Sequence, residues 1–160
     1  MLADAGSWND FSVTAGGASA ALTGLLFVAV SLRPREIRES SVMIGRARSA
    51  FYAFATVVIV ALLALAGTRS RIVGGIQAAV PIAVFLSSLP FTRTAIRART
   101  LNVGRAVVYH LGLLLIVIAG VLRLGQGLRQ ANEIVLAAGI LLLLGIAISN
   151  SWQLVLTHDG

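Results

Sequence analysis

VTAGGASAALTGLLFVAVSL, residues 13–32, decides the fold: it carries no charge, opens on small side chains and closes on large apolar ones. A helix needs about 20 mainly apolar residues to cross a hydrocarbon core of roughly 30 Å. This run is long enough on its own. Arg33-Pro34-Arg35 ends it, because proline lacks a backbone donor and disfavours helix in the residue before it. Working outward, the same criterion finds further runs at residues 49–68, 72–91, 106–124 and 134–156, separated by short charged or polar segments. The expectation is an all-α, polytopic integral membrane protein with five transmembrane helices, residues 1–160 forming a single membrane domain. A four-span alternative makes residues 68–91 re-entrant or interfacial, since Pro81 and Pro90 interrupt that run.

Composition supports the membrane reading. Hydrophobic residues make up 58% of the chain and charged ones 12%, against about a quarter charged in soluble domains, and that balance cannot be wrapped around a soluble core. The net charge of +7 comes from arginine alone. The arginines do not form the stripe a nucleic-acid surface needs; they stand at the ends of apolar runs, so no nucleic-acid partner is expected. The absence of cysteine excludes disulfides, thiolate metal sites and cysteine nucleophiles. Asp4 and Asp10 stand where a cleavable signal peptide would be basic, and none is expected.

Charge asymmetry orients the chain. The first and third connections carry nine arginines (33, 35, 38, 46, 48, 93, 97, 99 and 105) and the opposite side four (69, 71, 123 and 129). Positive charge in short loops marks the cytoplasmic side, so the N-terminus is expected outside and the C-terminus in the cytoplasm. Residues 36–44 read as a short interfacial helix, and Trp8, Phe11, Phe51, Tyr52 and Phe54 as aromatic anchors. Only Arg69, Ser70 and Arg71 separate the second and third runs, which are expected to form a tight hairpin. Pro81, mid-span, is expected to act as a hinge, because its ring displaces the carbonyl of Gln77.

Candidate functional residues are few. Gly16, Ala20 and Gly24 form a small-residue stripe on the first span, flanked by Ser19 and Thr23, which can add an interhelical hydrogen bond. This face is a helix-packing or pore-lining surface, and the sequence leaves open whether its partner is another span, a second copy or a pore. Polar groups at membrane depth are costly unless paired or wetted, which singles out Gln77, Tyr109, His110 and Asn150. His110 reads either as a neutral-pH titrating group or as a structural partner of Asn150 or Ser87. Arg33, Arg35, Arg97, Arg99 and Arg105 are candidates for attracting anionic lipid or anions, beside their topological role.

No span contains a carboxylate, an aspartate dyad, an HExxH helix or a metal-ligand cluster. Proton-coupled transport, intramembrane proteolysis and metal catalysis are therefore not expected, nor is any cofactor or metal.

The run GGASAALTGLLFVAVSL at residues 16–32, with RARSAF at 46–51 and NSWQLV at 150–155, resembles small hypothetical multi-spanning membrane proteins of bacteria. That resemblance covers about a quarter of the chain and implies no activity, catalytic residue or binding residue. With the arginine-, alanine- and glycine-rich composition it implies a bacterial inner membrane.

The leading functional expectation is a small oligomeric protein that forms or lines a permeation path for anions or small solutes. The economy of five short spans suggests it, because a ring of protomers can enclose what one chain cannot. The alternative is a non-catalytic accessory or scaffold subunit that docks another membrane protein. A lipid-directed enzyme using His110 with Asn150 or Tyr109 ranks third.

Overall fold

The computed structural model describes residues 5–32, 34–66, 71–97, 102–125 and 129–156. These form six helices: α1 (Ala5–Leu32), α2 (Pro34–Glu39), α3 (Ser41–Leu65), α4 (Arg71–Arg97), α5 (Val103–Leu124) and α6 (Arg129–Leu156). All but the short α2 are long and apolar enough to span a membrane, and no strand occurs among the described residues. Their outer surface is apolar: Phe27, Leu62, Leu86, Leu114 and Leu141 are all exposed. Side chains of that kind facing outward all round a bundle belong against lipid. The protein is an integral membrane protein with five spans.

Helix boundaries depart from the lengths of the apolar runs. The short helix expected at residues 36–44 divides at Ser40, which is extended (φ −110°, ψ 111°) and accepts a hydrogen bond from the Met43 amide at 3.3 Å. A serine that satisfies an orphan amide starts a new helix, so α3 begins at Ser41 and carries Arg46 and Arg48 on its opening turns. Asn102 does the same for α5, its side chain accepting from the Arg105 amide at 3.3 Å. In α4 the helix runs on through Pro81 and Pro90 to Arg97, so residues 71–91 form one continuous helix and not the re-entrant segment of the four-span alternative.

The packing order is α1–α3–α6–α5–α4, with neighbours antiparallel. Direct packing between the second and third spans, expected to form a tight hairpin, is sparse. Residues 67–70 lie outside the described residues, and α4 packs chiefly on α5, touching α3 only slightly. Small residues decide this. A Cβ added at Gly120 of α5 would sit 2.7 Å from the Ala78 nitrogen and 2.9 Å from its Cβ. The α5–α6 crossing is equally close, a Cβ at Gly139 meeting Ile116 Cγ1 at 2.8 Å and Gly112 O at 3.1 Å. In lipid no hydrophobic drive separates one helix pairing from another, so such close backbone approach selects the partner. The core they enclose is filled by Phe54, Val57 and Val60 of α3, Leu113 and Ile116 of α5, and Ile140 and Leu143 of α6.

Candidate functional site

Several polar side chains at membrane depth tie neighbouring helices together, while others, such as Thr56, bond to their own helix. Each extensively packed pair has one such tie. Between α1 and α3, the fully buried Ser19 donates to the Phe54 carbonyl at 3.0 Å. Between α3 and α6, Asn150 Nδ2 donates to Ser49 Oγ at 3.0 Å. Between α5 and α6, Arg105 donates from Nη1 to Gln153 Oε1 and from Nη2 to Ser149 Oγ, the latter at 2.8 Å. Between α4 and α5, Arg123 Nη1 donates to Gln77 Oε1 at 3.1 Å, with Glu133 of α6 close enough to act on Arg123 electrostatically. In hydrocarbon such ties are worth about 0.6–2 kcal/mol each.

The first-span residues divide. Gly16 is half-buried and touches α3, a Cβ there meeting Ala61 Cβ at 3.0 Å. Thr23 turns to its own helix, donating to the Ser19 carbonyl at 2.8 Å. Ala20 and Gly24 are exposed, and nothing lies within 4 Å of a Cβ at Gly24. The face of α1 buried on the bundle runs through Ser12, Ala15, Ser19 and Leu26 instead, displaced around the helix from the expected stripe.

Among the deep polar candidates, Gln77 is fully buried with its Oε1 committed to Arg123, while its Nε2 has no hydrogen-bond partner. Pro81, one turn further along α4, is also fully buried. His110 does not meet Asn150 or Ser87. Its Nδ1 lies 2.6 Å from the Ala106 carbonyl one turn back, and since a carbonyl only accepts, Nδ1 carries the proton. The ring packs edge-on against Phe85 of α4 and Tyr109, at 5.3 Å and 5.4 Å between centroids. Ser87 donates to its own helix at Val84, and Asn150 is occupied by Ser49.

Of the arginine candidates, Arg33 and Arg99 lie outside the described residues, as does the side chain of Arg97. Arg35 is exposed. Arg105 is committed to α6.

Sequence reasoning passed over two groups. One is the glycine pairing at Gly120 and Gly139, whose only signal was an isolated glycine inside a strongly apolar helix. The other is the pair Arg48 and Tyr52 on the arginine-rich side. Arg48 Nε donates to Tyr52 Oη at 3.2 Å, its guanidinium lying 5.2 Å from the centre of that ring. Tyr109, singled out above for its depth, is buried and its hydroxyl has no hydrogen-bond partner.

No family model matches the chain, and no curated protein or solved structure is significantly similar to it.

Proposed function

We propose that the protein is a non-catalytic membrane subunit that works by helix association in the bilayer, with the outward face of α1 as its docking surface. The observation that carries this reading is the use of the polar side chains. Ser19, Gln77, Arg105, Arg123 and Asn150 all bond between helices of one chain, which suits a rigid body better than a reactive pocket. Outside that body, Gly17, Ala18, Ala20, Ala21 and Gly24 leave α1, the least buried of the spans, with a small-residue surface that is exposed among the described residues. Small residues of this kind are the preferred contact of a further transmembrane helix, from a second copy or from another membrane protein.

Gly24 is the clean probe, since it is exposed and a Cβ there has nothing within 4 Å among the described residues. Gly24→Leu should abolish co-purification of the partner, or self-association measured by cross-linking in native membranes, while leaving the fold intact. An unchanged partner or oligomer in Gly24→Leu removes the proposal. Gly16→Leu is a poorer test, because it also strikes Ala61.

A permeation path is the second reading, and the exposed arginines Arg35 and Arg48 on one side favour an anion as its cargo. Because Phe54, Leu113, Ile116, Ile140 and Leu143 fill the single bundle, such a path runs between copies. Anion flux in liposomes carrying the purified protein distinguishes the two readings: flux lost in Gly24→Leu favours the path, and no flux favours the accessory role.

The arginine-rich side is assigned to the cytoplasm of a bacterial cell and the N-terminus to the outside. The chain has no cysteine, so single replacements report without background. Asp10→Cys should react with an impermeant maleimide on intact cells, and Arg35→Cys only after permeabilisation. The opposite pattern reverses the topology.

A further inference from the structure

We propose that α4 is a hinged helix: residues 71–80 are fixed on α5, and residues 82–97 form an arm that pivots at Pro81 away from the bundle on its arginine-rich side. Burial along the helix divides at the proline. Gly74, Gln77, Ala78 and Pro81 are buried, whereas from Ile82 to Pro90 no residue is. The fixed part is clamped by backbone. A Cβ at Gly74 would meet Gly120 O and Leu124 Cδ2, both at 3.1 Å, and Ala78 lies against Gly120. The bond from Arg123 to Gln77 adds a polar tie one turn before the pivot.

The arm is held differently. It touches α5 through the Phe85 ring, edge-on to His110 at 5.3 Å, and α4 meets α3 only slightly. Its hydroxyls bond within their own helix: Ser87 donates to the Val84 carbonyl, Ser88 to that of Phe85 and Thr92 to that of Ser88. Such bonds to the preceding turn bend helices. Pro81 has no N–H for the Gln77 carbonyl, so the ladder joining the clamped part to the arm lacks a rung. Lipid tails are as apolar as the exposed Ile82, Phe85 and Leu86 of the arm, so leaving the bundle costs it no hydrophobic free energy. The pivot thus stands where close packing ends and where the helix is weakest. A turn of about 20° there carries Thr92, about 16 Å further along the axis, through about 6 Å.

The chain lacks cysteine, so spin-label pairs between α1 and α4, which stand at opposite ends of the packing order, report the arm and the clamped part separately in lipid nanodiscs. Thr92→Cys with Val28→Cys reads the arm; Ile76→Cys with Val13→Cys reads the clamped part. Val13, Val28 and Ile76 are exposed, and the Thr92 hydroxyl bonds only within its own helix, so the labels leave the bundle intact. Pulsed electron spin resonance should give an arm distribution broader than the clamped one by about 6 Å. Pro81→Ala returns the missing N–H and should narrow the arm pair to the breadth of the clamped pair. Phe85→Ala keeps the pivot, removes the ring contact with His110, and should shift weight to the longer distances about 2- to 12-fold. An arm pair no broader than the clamped pair, or one whose breadth Pro81→Ala leaves unchanged, overturns the hinge. Should Pro81→Ala disturb the clamped pair as well, Phe85→Ala decides, and no gain of the longer distances there overturns it.

Discussion

Replacing Gly120 by alanine tests whether the α4–α5 crossing organises the bundle. The new methyl group would stand 2.7 Å from the Ala78 nitrogen, 2.9 Å from its Cβ and 3.0 Å from its Cα. None of these atoms can be swung aside by a rotamer change. Carbon atoms in contact prefer about 3.5–4.0 Å, so α4 and α5 must separate locally by roughly 0.6–1.1 Å. The Arg123–Gln77 bond, already 3.1 Å, lies beside this crossing and lengthens with it. Overpacking of this kind costs about 1–3 kcal/mol, or roughly 5- to 150-fold in the unfolding equilibrium. The assay is reversible unfolding in mixed micelles followed by helical circular dichroism, with Gly145→Ala as control. A Cβ at Gly145 meets nothing within 4 Å, so the control should be neutral or gain up to about 1 kcal/mol of helix propensity. Adding Ala78→Gly to Gly120→Ala removes one of the three clashes and should restore part of the loss, a coupling that a double-mutant cycle reads directly. If Gly120→Ala is as stable as Gly145→Ala, the crossing is not close and the account of why α4 leaves α3 for α5 is wrong.

Three further outcomes follow from the ties between helices. Ser19→Ala should cost about 0.6–2 kcal/mol by loss of the bond to the Phe54 carbonyl, while Thr23→Ala, whose bond is to its own helix, should fall within about 0.5 kcal/mol of wild type; equal effects in the same unfolding assay would contradict the assignment. Arg123→Leu leaves the whole Gln77 amide buried without a partner and should cost about 1–3 kcal/mol, whereas the double variant with Gln77→Leu should recover much of it; a double variant no better than Arg123→Leu refutes the pairing. Asn150→Leu should loosen α6 from α3 by removing the donor to Ser49, seen as faster amide exchange near the arginine-rich ends of those helices, and unchanged exchange there would count against the bond.

The membrane class and the number of spans were legible because they depend on local quantities: run length, absence of charge, and punctuation by arginine. The helix starts were partly legible. Ser40 and Asn102 are side chains that cap, but they stand among other polar residues that cap nothing, and only backbone geometry separates them. Ser19 was legible as a donor and its acceptor was not, because the Phe54 carbonyl is a backbone group that every residue possesses. The same limit hid the roles of His110 and Asn150. A sequence shows that a polar group must be satisfied at depth, and it does not show by which neighbour.

The amino-acid sequence by itself determined an all-helical membrane protein and favoured five spans over four, since the cost of exposing backbone polar groups to hydrocarbon leaves such runs helical; the continuous α4 settled the count. Tertiary structure alone decided the order α1–α3–α6–α5–α4 and the rotation of α1 that buries Ser19 and exposes Gly24. The physical reason is that apolar helices in lipid have no hydrophobic preference for one another. Their pairing rests on backbone approach at particular glycines and on single hydrogen bonds, which are properties of two surfaces in register.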